Sequence, residues 1–76
     1  MVNHREKQIL KKYEKKGYKT VRCGCPDFLF IKTNNGEIIE SIFVEVKSPQ
    51  DHLSYEQYIW KLVLEQGGFK YKVEVI

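Results

Sequence analysis

Asp27, next to Pro26, and the triplet Glu45-Val46-Lys47 are the residues of this chain best suited to chemistry. Side chains alternate across a strand, so Glu45 and Lys47 share one face while Val46 points to the other. With Asp27 at the mouth of the neighbouring strand, two carboxylates and one ammonium converge at one end of a sheet. Hard divalent cations such as Mg²⁺ or Mn²⁺ prefer carboxylate and carbonyl oxygens. Asp27 and Glu45 supply two ligands, and the main-chain carbonyl of Val46 is placed to supply a third. A cation held there beside a phosphate polarises it and activates a water. Lys47, one strand step further, could orient that water or offset charge in the transition state. Taken singly, Pro-Asp is a good turn former and Glu-x-Lys an ordinary solvated strand face. Their joint occurrence on adjacent elements points to metal-dependent hydrolysis of phosphodiester bonds.

Two further residues stand near this set. Glu6 lies one turn before Ile9 and Leu10, at the edge of an apolar helical stripe, where a carboxylate can approach a metal. It is equally suited to close a capping box with Asn3. Gln57 has the same double aspect, as capping partner of Ser54 or as donor to a phosphate or the attacking water. Lys7, Lys11, Lys12, Lys15 and Lys16 form either a solvated face or one that neutralises phosphates. Cys23 and Cys25 are separated by a single residue, a spacing poor for a disulfide, and they lack the second pair a zinc site needs. They read as reduced thiols packed near a turn.

The elements that must position these groups follow from periodicity and caps. Asn3 and Glu6 open a helix over His4–Lys16 with Ile9, Leu10 and Tyr13 on its buried side, and Gly17 stops it. Tyr18–Cys23 and Phe28–Thr33 read as strands. Asn34-Asn35-Gly36 then marks a tight hairpin leading into a long strand, Glu37–Lys47. Ile42, Val44 and Val46 share one face of that strand, and Phe43, Glu45 and Lys47 the other. Ser48–His52 is a loop, and Ser54 with Gln57 caps a second helix that ends at Gly67-Gly68. Tyr55, Tyr58, Ile59, Leu62 and Val63 are expected to cover the sheet. Trp60 and Leu64 fall together on a flank suited to a second copy of the chain. The last strand alternates, with Phe69, Tyr71, Val73 and Val75 against Lys70, Lys72 and Glu74. The order is αβββαβ, an α/β (α+β) domain with a mixed sheet in which the helical crossover lets the third and fourth strands lie parallel.

Seventy-six residues, 42% hydrophobic and 30% charged, are expected to form one globular domain over residues 1–76. A chain so short has a thin core, and self-association would help it. The net charge of +3 suits an anionic partner. No apolar run approaches membrane-spanning length and the N-terminus lacks a secretory apolar core, so the expected location is the cytoplasm, without membrane association.

Gly24-Cys25-Pro26-Asp27, Glu45-Val46-Lys47 and the stretch Asp51-His52-Leu53-Ser54-Tyr55-Glu56-Gln57-Tyr58-Ile59-Trp60 together resemble the VRR-Nuc branch of the PD-(D/E)XK nuclease superfamily. The resemblance runs from the first helix to the last strand. The downstream Asp-x-Leu-Ser-x-x-Gln-x-x-Trp pattern makes it specific where Pro-Asp and Glu-x-Lys alone would be weak. It implies a restriction-endonuclease-like αβββαβ core, Mg²⁺ or Mn²⁺ dependence and cleavage of DNA. Carried over by position, Asp27 and Glu45 match the metal-binding acids, Lys47 the catalytic lysine, Glu6 the acid of the first helix and Gln57 the polar residue of the following helix. Stand-alone members of the branch are compact, many are viral, and some resemble Holliday-junction resolvases in substrate choice. The expectation is therefore a structure-selective DNA endonuclease acting on branched DNA as a homodimer. The alternatives are a nicking or restriction-like nuclease without junction preference, a non-catalytic nucleic-acid-binding module, and a small protein that merely docks a partner on its charged strand face.

Overall fold

Two capping boxes and one hairpin turn lay out most of the chain. The computed structural model describes residues 3–22, 24 and 26–76, so the expectation for Cys23 and Cys25 lies outside the described residues. Helix α1 spans His4–Lys15, capped by Asn3, whose side chain accepts from the Glu6 N–H while the Glu6 carboxylate accepts from the Asn3 N–H. Strands β1 (Lys19–Arg22), β2 (Phe28–Asn34) and β3 (Glu37–Lys47) form an antiparallel meander. The turn between β2 and β3 places Asn35 at φ 52° and Gly36 at φ 82°, the left-handed pair that a two-residue hairpin requires. Helix α2 (Tyr55–Gln66) crosses to β4 (Tyr71–Val75), which pairs parallel with β3. The sheet order is β1-β2-β3-β4, and the elements follow the expected αβββαβ order along the chain.

The core lies between α1 and one face of the sheet. Ile9 and Tyr13 pack against Phe28, Phe30 and Val44, with Leu10, Ile42 and Val46 partly buried around them. Tyr13 stacks on Phe30 with centroids 4.2 Å apart and meets the edge of Tyr18 at 5.5 Å. Aromatic pairs in these geometries add to the value of the area they bury. The opposite face carries Phe43, Glu45 and Lys47, so the expected division of β3 holds.

The side that α2 turns to the protein is the reverse of the expected one. Tyr55, Tyr58, Ile59 and Val63 are exposed, Tyr55 by 75% and Val63 by 58%, and Leu62 is half-buried. Leu64, assigned to a flank free for a partner, is the buried residue of the helix. Gln57, Lys61 and Leu64, spaced i, i+4 and i+7, form the inward side. Gln57 closes the capping box with Ser54, and Leu62 is half-buried beside this inward side. Trp60 remains exposed, as expected.

β4 holds a second departure from simple alternation. Glu74, on the polar side of the pattern, is only 7% exposed, while Val75 is exposed. Its carboxylate accepts from the Tyr13 hydroxyl at 2.8 Å and from the Lys12 ammonium at 3.0 and 3.2 Å, and Lys72 lies 3.4 Å away. A buried carboxylate is tolerated when several donors replace its lost water. Here those donors come from α1, so Glu74 fastens the helix to the edge of the sheet.

Candidate active site

The candidate site forms where β2 begins and β3 outruns it. The last pairing between the two strands is Phe28 with Val44, so Glu45 to Lys47 continue beyond β2 while still paired to β4. Asp27, one residue before β2, fills the gap. Its Oδ2 accepts from the Val46 N–H at 2.9 Å, and its own N–H donates to Glu45 Oε2 at 3.1 Å. The two acids are thus cross-braced through main-chain donors. In a strand the N–H and C=O of one residue point to the same side. Val46 therefore turns its carbonyl toward Asp27 as well, while the Lys47 carbonyl accepts from the Ile76 N–H on the β4 side.

Glu45 is 1% exposed, and its Oε1 is buried without a hydrogen-bond partner among the described residues. Burial in the first place, and the Asp27 carboxyl beside it in the second, push the Glu45 carboxyl up to about 7. The Asp27 N–H and the Lys47 charge pull the other way and do not cancel this. An ionised carboxylate buried against a second carboxylate is costly, and a proton held between the pair or a bound cation relieves that cost.

The donor set fits a hard divalent cation. Asp27, Glu45 and the Val46 carbonyl offer oxygens only. Among the described residues no third His, Cys, Asp or Glu joins the acids. A cation with this few protein ligands keeps water and takes substrate oxygen, as Mg²⁺ characteristically does.

Lys47 projects from the same strand face as Glu45, is half-buried, and makes no ion pair within 4.0 Å among the described residues. It is close enough to affect Glu45 and Asp51 electrostatically. Glu6 and Gln57, the two residues with a double aspect, are both engaged in their caps. The Glu6 carboxylate accepts from Asn3, and Gln57 Oε1 accepts from the Ser54 N–H at 2.9 Å. Neither hydrogen-bonds to Asp27 or Glu45. The sequence did not single out Arg5, whose Nε–H donates to the Ile76 main-chain oxygen at 2.9 Å. Its one signal was to be an arginine among the lysines of the first helix.

Comparison with known proteins gives three findings. The family model described as the VRR-NUC domain matches residues 1–75. No curated protein matches the chain. The fold is similar to a solved structure of Archaeoglobus fulgidus Hjc, a Holliday junction resolvase from an archaeal hyperthermophile, with a TM-score of 0.65 and 23% identity. That match covers 93% of this chain, which spans 66% of the length of the resolvase chain.

Proposed function

Because this chain belongs to the VRR-NUC domain family, we propose that it is a Mg²⁺- or Mn²⁺-dependent endonuclease that hydrolyses phosphodiester bonds in DNA at the Asp27–Glu45–Lys47 site, with a preference for branched structures. The observation that carries this reading is the buried Glu45 carboxyl, its Oε1 without a donor among the described residues, set against the Asp27 carboxyl. Asp27, Glu45 and the Val46 carbonyl would hold the cation. When bound, it supplies Lewis acidity at the phosphate and lowers the pKa of a coordinated water.

The protein's own residues do the rest by position. The cross-bracing of Asp27 and Glu45 through main-chain N–H groups fixes both carboxylates before substrate arrives, which removes reorganisation from the reaction. Lys47, held on the same face and free of ion pairs among the described residues, presents an ammonium where negative charge develops on the phosphate. Gln57 and Glu6 serve in their caps, and a role toward substrate requires them to leave those bonds.

The branched-DNA preference is supported by the fold similarity to a Holliday junction resolvase. It is also supported by the exposed apolar side of α2, where Tyr55, Ile59, Trp60 and Val63 line a shallow groove. An apolar face of this kind on so small a domain is suited to a second copy. A two-fold symmetric dimer buries the face on both partners and sets two sites against opposed strands.

Incubating the protein with four-way junction, flap, splayed and linear duplex DNAs, each with Mg²⁺, Mn²⁺ or EDTA, tests the reading. Cleavage of the junction with either cation and none with EDTA is expected. Equal cleavage of linear duplex would remove the branched preference, and cleavage in EDTA would remove the metal.

A further inference from the structure

The end of the sheet that carries Lys47 holds a second cation, which the proposed chemistry leaves unused. Lys47 pairs in register with Val75, and the next residue, Ile76, donates its N–H to the Lys47 carbonyl at 3.0 Å. The main-chain oxygen of Ile76 accepts from Arg5 Nε–H at 2.9 Å. Two consecutive hydrogen bonds therefore tie the Arg5 side chain to the main chain of Lys47, although the residues lie far apart in sequence. The tie uses only Nε–H. The two terminal nitrogens of the guanidinium have no hydrogen bond or ion pair among the described residues, and the residue is exposed.

This sets Arg5 apart from its neighbours on α1. Lys12 is committed to Glu74, and Lys16 lies over the Tyr13 ring. Arg5 alone is pinned at its Nε with its charged fork projecting from the site end of the sheet. One acid feels it there: Asp51, in the loop after β3, is held below the usual carboxylate range first by hydrogen bonds from Ser48, with Lys47 and Arg5 adding to the effect. Lys47 and Arg5 are thus the two cations near Asp51, and Arg5 stands outside the Asp27–Glu45 pair.

We infer that Arg5 is a DNA-contacting residue whose free guanidinium fork takes the oxygens of a backbone phosphate displaced along the strand from the scissile one. A planar fork with two outward nitrogens matches phosphate bidentately, and its anchored Nε lowers the entropy lost on contact. The contact is to the backbone, so it adds affinity and register rather than sequence preference. This inference rests on the nuclease reading above.

Arg5→Gln separates the charge from the tie. The glutamine Nε2 stands at the same position along the side chain as the arginine Nε, so the hydrogen bond to Ile76 is kept while the charge is removed. Arg5→Lys keeps the charge and loses the geometry of the fork. Binding of wild type and both variants to a labelled four-way junction and to a linear duplex is measured in EDTA across a salt series, with thermal melting alongside. Arg5→Gln is expected to melt as wild type, to bind both DNAs several-fold more weakly, and to lower the slope of log K against log salt by about one. Arg5→Lys should keep the wild-type slope and lose part of the affinity. Wild-type affinity and slope in Arg5→Gln would overturn the inference while leaving the nuclease reading intact. Loss of binding that tracks a lowered melting temperature in both variants would also overturn it, by making Arg5 a structural pin. Wild type that binds neither DNA and cleaves neither with Mg²⁺ or Mn²⁺ present would remove the nuclease reading itself.

Discussion

In the proposed site Glu45 is the acid most expensive to keep ionised. Folded, it holds its proton more tightly than the unfolded chain does, with its carboxyl raised from 4.5 to about 7. The folded protein therefore binds more protons than the unfolded one between these values, and the metal-free protein should lose stability as pH rises through that window. Glu45→Gln removes the ionisation. In EDTA at pH 8 it should melt above wild type, by up to about 3 kcal/mol of stability, and the difference should close near pH 4. Thermal melts across pH check this, and a constant difference would assign the effect to packing instead. Saturating Mg²⁺ should stabilise wild type and leave Glu45→Gln unmoved. At Lys47 the expectation is kinetic: in the proposed role its charge would act where the phosphate gains charge, so Lys47→Ala should lower kcat far more than it raises KM. Steady-state kinetics on a junction separate this from a binding clamp, which would move KM alone. The sequence showed that Asp27, Glu45 and Lys47 share one sheet end, since strand alternation and hairpin order are local properties. It could not show that Asp27 reaches the Val46 N–H, because that bond depends on β2 starting one residue too late to pair there.

The helices teach a different lesson about what is legible. α1 followed its stripe, since Ile9 and Tyr13 are buried and the Asn3–Glu6 capping box forms. α2 did not, because its most apolar side was assigned to the sheet on the premise that one chain buries its own hydrophobics. Periodicity finds a stripe but does not say what covers it. The Ser54–Gln57 box was also legible, and it forms. Glu74 was hidden for a related reason. On this edge strand the α1 side takes Glu74 and leaves Val75 exposed, so apolar alternation does not separate inside from outside. Tyr13→Phe tests the resulting anchor. It removes the buried donor to Glu74, should cost about 1–3 kcal/mol, and should lower the melting temperature by several degrees in a domain of this size. An unchanged melting temperature would show that Lys12 and Lys72 suffice to hold the carboxylate.

At the scale of the whole molecule, the covered core lies on one side of the sheet and an uncovered apolar face on the other. Trp60, 46% exposed, sits with Tyr55, Ile59 and Val63 on that face. A chain of 76 residues gains substantially from burying such a surface against a copy of itself. Trp60→Glu should convert a dimer into a monomer in sedimentation equilibrium without lowering monomer stability, and a wild type that sediments as a monomer at micromolar concentration would refute the dimer. The αβββαβ order and the parallel β3–β4 pair were legible in the chain, since a helical crossover between strands permits little else. Among the described residues no helix is long and apolar enough to cross a membrane. The measurement that bears most directly on the account is the cleavage rate of a labelled four-way junction by Asp27→Asn at saturating Mg²⁺, with DNA binding followed in parallel. Cleavage is expected to fall by orders of magnitude while binding is kept or tightened, because a carboxylate that repels phosphate has been removed. Cleavage at the wild-type rate by Asp27→Asn would contradict it.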